Sequence, residues 1–175
     1  MADNELRWTA SPPEGLNRPV MVLALSGYFD TALVATRSIE HLVGQHAVET
    51  IATIDSDGFY DFQQERPQVW LDESGDRQIS WPDADLQLLR FPGRAHDLVV
   101  LTGVEPHVRW RTYAELLIDI AQQCGCEVVV TLGASPEPIP HTRTPSVFGS
   151  STNEALARAL GLSRPQYQGP TGVFG

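Results

Sequence analysis

The chain has 175 residues, a formal charge of −10 and 42% apolar residues, enough to bury one sizeable core. That acidity argues against a nucleic-acid backbone or an anionic membrane as partner, and no run approaches the ~20 apolar residues that span a bilayer. All 12 basic residues are arginines, so Schiff-base catalysis and a phosphate-binding P-loop, which both need a lysine, are excluded.

Residues 1–18 are polar and read as a flexible lead-in, and residues 19–175 as one α/β domain. Residues 1–7 lack the basic and then apolar regions of a secretory signal, so a cytoplasmic location is expected. Val20-Met-Val-Leu-Ala-Leu-Ser26 is a continuous apolar run, the pattern of a strand covered on both faces. Helical spacing follows over 31–45, with Asp30 as the expected N-cap. A strand over 48–55 completes a βαβ unit, and such units favour a parallel sheet.

Residues 68–71, 77–81 and 86–91 alternate in polarity and are separated by turn signals. They predict an antiparallel hairpin or meander, inserted into the sheet or attached to its edge. The βαβ rhythm then resumes with a strand over 98–102, a helix over 109–124 and a strand over 127–132. Beyond Gly133 come a proline-rich loop, a short strand over 146–149 and a short helix over 153–160.

Cys124-Gly-Cys126 is neither a redox pair nor a zinc pattern. Gly125 stands where the helix ought to end, which gives both thiols a structural role. His41 and His46 are five apart and miss the same-face spacing of a metal pair. No metal and no cofactor are expected.

The predicted strands ending at Gly27, Gly103 and Gly133 each hand over to a polar loop. If they are parallel neighbours, the loops meet at one sheet edge, where open α/β sheets bind ligands. That edge gathers Asp30, Glu105, His107, Arg109, His141 and Arg143. Arg109, Arg111 and Arg143 are the candidate ligand-binding residues, since guanidinium suits two-pronged contact with carboxylate or phosphate. For an enzyme, His107 and His141 are the candidate acid–base groups, with Glu105 or Asp30 to orient them. The other readings of the same residues are a polar connection whose arginines pair with nearby acids and a polar rim for a partner protein. With no lysine to hold phosphates, tight ATP binding is not expected.

Six segments occur together in order. They are Gly27-Tyr-Phe-Asp30, Asp57-Gly-Phe-Tyr-Asp-Phe62 with Arg66-Pro67, Gly103-Val-Glu-Pro-His-Val-Arg-Trp-Arg111, Leu132-Gly-Ala134, Pro140-His-Thr-Arg143 and Gly169-Pro-Thr-Gly172. Together they resemble the proteasome assembly chaperone 2 (PAC2) family, especially its actinobacterial members, over about residues 20–175. The resemblance implies a three-layer α/β sandwich with a mostly parallel central sheet, like that of nucleoside phosphorylases. It also implies homo-oligomers and, by analogy with eukaryotic and archaeal relatives, proteasome subunits as partners.

The first loop departs from the family's Gly-Trp-x-Asp-Ala-Gly, reading Gly27-Tyr-Phe-Asp-Thr-Ala32. Relatives also continue past the Gly-Pro-Thr-Gly segment, so a shortened member or a fragment is expected. Two functions follow. One is a non-catalytic oligomeric assembly or binding protein, consistent with the lack of a nucleophile elbow or an H-E-x-x-H helix. The other is an enzyme acting on a small anionic substrate at the strand-end cleft, phosphorylase- or hydrolase-like.

Overall fold

The computed structural model describes residues 5–162 and 167–174. Its strands are β1 (Leu6–Trp8), β2 (Val20–Ser26), β3 (Glu49–Ile54), β4 (Gln68–Leu71), β5 (Arg77–Ser80), β6 (Ala84–Leu89), β7 (Leu98–Val104) and β8 (Val128–Leu132). The helices are α1 (Val34–Gly44), α2 (Trp110–Gln123) and α3 (Glu154–Ala159). Chain contacts divide into two compact units, residues 1–135 with 172–175, and residues 136–171. The first contains the sheets with α1 and α2, and the second contains α3.

The central sheet has the order β1-β3-β6-β7-β2-β8. β7, β2 and β8 are parallel neighbours, while β6 pairs antiparallel with both β3 and β7, and β1 antiparallel with β3. By direction, β2, β3, β7 and β8 run one way and β6 and β1 the other, so the sheet is mostly parallel.

Side-chain alternation along the central strands builds three layers. Met21, Leu23 and Leu25 of β2 and Val99 and Leu101 of β7 pack with Tyr113, Leu116, Leu117 and Ile120 of α2. Ala24 and Val100 point the other way and pack with Ala35 and Ile39 of α1. The buried stripe of α2, at 113, 116, 117, 120 and 121, has the spacing of one helical face. Fully burying one such Leu or Ile side chain is worth ~1.5–3 kcal/mol.

α2 ends where the sequence predicts. Gly125 adopts φ +67°, and the N–H groups of Gly125 and Cys126 donate to the carbonyls of Gln122 and Ala121, closing the last turn in a Schellman motif. Both cysteines are free thiols. Burial pushes the Cys124 thiol up to about 11 and, with Cys124 alongside, the Cys126 thiol up to about 12.

Three segments differ from expectation. Within the lead-in, Leu6–Trp8 forms an edge strand on β3. Leu6 and Trp8 pack against the core, and Arg7 pairs with Asp55 and Asp83. Three alternating residues are too few to read as a strand from the sequence. In the middle region β4 and β5 form a separate two-stranded sheet, while the third segment joins the central sheet as β6. Ala84, Leu86, Leu88 and Leu89 of β6 are buried, which its polarity pattern alone does not reveal. Residues 146–149 form no strand, and Val147 and Phe148 are exposed.

A loop-anchoring carboxylate stands at the start of β7. Asp97, just before β7, accepts the N–H groups of Asn17 at 2.8 Å and Phe91 at 2.9 Å. Burial alone would raise its pKa, but those two donors and the charge of Arg90 hold it below the usual carboxylate value.

A candidate functional site at the carboxyl ends of the parallel strands

Because β7, β2 and β8 are parallel neighbours, the loops after Ser26, Val104 and Leu132 leave the same edge. The loops after β2 and β8 are laced together, with Thr31 N–H donating to Ala134 O and Ala134 N–H donating to Phe29 O at 2.7 Å. Asp30, Glu105, His107 and Arg109 all belong to loops at this edge, and each is already engaged.

Asp30 is 4% exposed. Its carboxylate accepts the N–H of Ala35 at 2.7 Å and both the N–H and the hydroxyl of Thr36, the latter at 2.6 Å. The expected capping role therefore holds, but from a distance. A 3-10 turn at Thr31–Leu33 intervenes, with Ala32 and Leu33 at φ 56° and 58°, and it swings the first N–H groups of α1 back onto the carboxylate. The negative charge also complements the positive end of the helix.

Glu105 clips two backbones. Its own N–H donates to Ser26 O, and its carboxylate accepts the Val173 N–H at 2.6 Å, with a long contact to the Tyr28 N–H at 3.5 Å. Glycine makes this approach feasible: a Cβ on Gly27 would lie 2.9 Å from Glu105 Oε2, and one on Gly172 would lie 2.5 Å from Oε1. No local signal in the sequence points to this clip, although Gly172 closes the Gly169-Pro-Thr-Gly172 segment.

His107 donates its backbone N–H to Phe59 O, and its Nδ1 accepts the Asp61 N–H at 2.9 Å. With Nδ1 accepting, Nε2 is the ring nitrogen left to donate. The ring stands edge-on to Tyr60 at 5.7 Å. The Asp61 carboxylate is held below its usual pKa chiefly by the Gln63 N–H and the Gln64 amide.

Arg109 caps α2 in a left-handed conformation, φ 57°. Its guanidinium pairs with Glu5 and lies over the Phe59 ring, 5.2 Å from the centroid. The nearby acid that the arginine pairs with is Glu5, from beside β1. Arg111, the second residue of α2, is exposed and makes no hydrogen bond or ion pair among the described residues. His141 and Arg143 belong to the second compact unit, where both are exposed and the Arg143 N–H donates to Pro140 O.

The aromatic segment Phe59–Phe62 packs inward at Phe59 and Tyr60. Phe59 and Tyr60 are buried, and Phe59 meets Tyr113 edge-on at 5.0 Å. The Tyr60 hydroxyl donates to Val104 O at 2.7 Å, and burial pushes its pKa up to about 12. The Tyr113 hydroxyl, fully buried beside Tyr60, has no hydrogen-bond partner among the described residues, and burial holds its pKa well above the ordinary phenol value. Among the described residues, no three His, Cys, Asp or Glu side chains gather closely enough to hold a metal ion. No helix there is long and apolar enough to cross a membrane.

The PAC2 family profile matches residues 24–175. The fold is similar to that of a PAC2 family protein from Streptomyces avermitilis, at 41% identity and TM-score 0.84, over 89% of this chain and 66% of that one. It is similar to a proteasome-assembly chaperone homologue of Mycobacterium tuberculosis, at 35% identity and TM-score 0.78, over 88% of this chain and 65% of the other. A Mycobacterium tuberculosis protein of unknown function, at 23% identity and TM-score 0.78 over 98% of this chain and 61% of that one, shares the fold. The chain thus spans slightly under two thirds of the length of the first two relatives. No curated protein is significantly similar to it.

Proposed function

The chain belongs to the PAC2 family, and on that footing we propose that it is a non-catalytic, oligomeric assembly or binding protein of the cytoplasm. One observation carries this reading: the charged groups at the strand-end edge are spent on the fold itself. Asp30 caps a helix, Glu105 clips a loop, Arg109 pairs with Glu5, and His107 accepts a backbone N–H through Nδ1.

Apolar side chains, in contrast, are displayed to solvent on the β4–β5 hairpin. Val69 opposes Ile79 and Leu71 opposes Arg77 in the ladder, so Val69, Leu71 and Ile79 share one face, and Trp81 follows directly after β5. All four are exposed, Leu71 by 68%, and Trp81 ties the face to Phe62 by an edge-on contact at 5.1 Å. A two-stranded hairpin is marginal alone, and apolar patches of this kind mark interaction sites.

A second copy is the first occupant of this face, and proteasome subunits are the further partner class. The latter rests on the solved relative described as a proteasome-assembly chaperone homologue. Sedimentation or light scattering at tens of micromolar is expected to report an oligomer, and Leu71→Asp with Ile79→Asp a folded monomer. A wild-type monomer at that concentration would overturn the oligomeric reading. Failure of purified proteasome α-subunits to bind would remove the partner.

The alternative is an enzyme for a small anionic substrate. It keeps one foothold, the exposed guanidinium of Arg111, which makes no hydrogen bond or ion pair among the described residues, on the helix that follows His107. Calorimetric titration with inorganic phosphate separates the readings: saturable heat abolished by Arg111→Gln favours the enzyme, and no heat favours the assembly protein.

A further inference from the structure

Hydrogen bonding at the tip of the β4–β5 hairpin fixes which backbone groups point out of it. The Asp72 N–H donates to Asp76 O at 3.0 Å, one step beyond the ladder in which Leu71 opposes Arg77 and Val69 opposes Ile79. Bonded and non-bonded pairs alternate along an antiparallel ladder. The N–H and C=O groups of Val69 and Leu71 therefore point away from β5, and those of Arg77 and Ile79 point away from β4. Among the described residues, neither outer edge has a further strand.

The two edges are not equivalent. Going back from Leu71 and Val69, the next outward position on the β4 side is Pro67. It has no N–H to give, and proline is a recognised means of blunting an edge. β5 contains no proline, and both of its outward residues carry an N–H. The β5 edge is the one open to pairing.

That edge is complementary to itself. An antiparallel pairing of two copies of β5 about a two-fold axis at Ile79 sets Ile79 against Ile79. The same register brings Arg77 of each copy level with Trp81 of the other, the residue that follows β5. Ile79 and Trp81 are 52 and 48% exposed, and the Arg77 side chain makes no hydrogen bond or ion pair among the described residues. An aliphatic pair across the seam and a cation beside an indole are both favourable contacts. Moving the axis to Arg77 would oppose two guanidiniums, and moving it to Gln78 would set Arg77 against Ile79. Moving it to Ser80 would bring Arg77 level with Asp83, whose carboxylate already holds Arg7 and the Ser56 N–H.

We propose that two copies of this chain join through the outer edges of β5, forming one four-stranded antiparallel sheet in the register centred on Ile79. The proposal rests on the oligomeric reading above and specifies its geometry.

Cysteine pairs read this register. Gln78 and Ser80 are exposed, on the face away from Ile79. Across the seam, Gln78 of one copy meets Ser80 of the other as a non-bonded pair, with Cα atoms ~4.5 Å apart. An equimolar mixture of Gln78→Cys and Ser80→Cys proteins, oxidised with glutathione disulfide at tens of micromolar, should yield a covalent dimer. Either variant alone, or the wild-type protein, should not. In the wild-type protein, the amides of Arg77 and Ile79 should exchange at least tenfold more slowly at that concentration than at high dilution, with Val69 and Leu71 unchanged. Arg77→Gln should weaken self-association about tenfold, through the loss of two exposed cation–aromatic pairs. An oligomer with no cross-link in the mixture, or with a cross-link in either variant alone, overturns this geometry and leaves the oligomeric reading standing. A protein that stays monomeric at tens of micromolar overturns both.

Discussion

Glu105 and Val173 are 68 residues apart in the chain and joined by a 2.6 Å hydrogen bond from the Val173 N–H to the Glu105 carboxylate. This bond returns the Gly172–Val173 segment to the sheet unit, where Val173 and Phe174 pack against the main core.

Removing that carboxylate should release the segment. Glu105→Ala is expected to cost ~1.5–3 kcal/mol, the usual value of a hydrogen bond to a charged group. Gly172→Ala should cost a similar amount without touching the acid, because its Cβ would stand 2.5 Å from Oε1. Urea unfolding of both variants, with amide exchange at Val173, is the measurement. Stability unchanged in both would show that the clip is not structural.

Arg109 is half-exposed and its partner Glu5 largely covered. An exposed ion pair is worth ~0–1 kcal/mol, and a cation over an exposed aromatic ring adds ~0.5–1 kcal/mol. Arg109→Lys should therefore lose only about 1 kcal/mol. A double-mutant cycle with Glu5→Gln should report a coupling of the same size that shrinks in high salt. A loss of several kcal/mol would mean that the residue supports more than this pair.

Asp97 sets an acid limb of the stability profile. Its folded pKa lies below its unfolded value of ~3.9. The folded state thus binds the proton less readily, and the contribution is fully present above ~pH 4 and lost as the pH falls through the folded pKa. Asp97→Asn should flatten that part of the profile and lower stability at neutral pH. Urea midpoints from pH 7 down to 2.5 test this, and parallel curves for the two proteins would exclude the assignment.

Local sequence was enough wherever the structure is periodic. The apolar run of β2, the helical face of α2 and the glycine that closes α2 each lie within a window of a few turns, so their period reports their burial. The convergence of three loops at one edge followed from the same reading, since parallel strands ending in glycine hand over on the same side. Tertiary structure decided which side chains meet there. Arg109 had 22 acidic residues to choose from, and it found Glu5 because β1, too short to be read, pairs with the edge of the sheet. Glu105 found a backbone N–H near the end of the chain. The aromatic segment turned inward onto Tyr113, and Ala84–Leu89 entered the sheet rather than the hairpin. Hydrophobic period is a property of neighbours in sequence, whereas a charge pairs with whatever the packed core brings within reach.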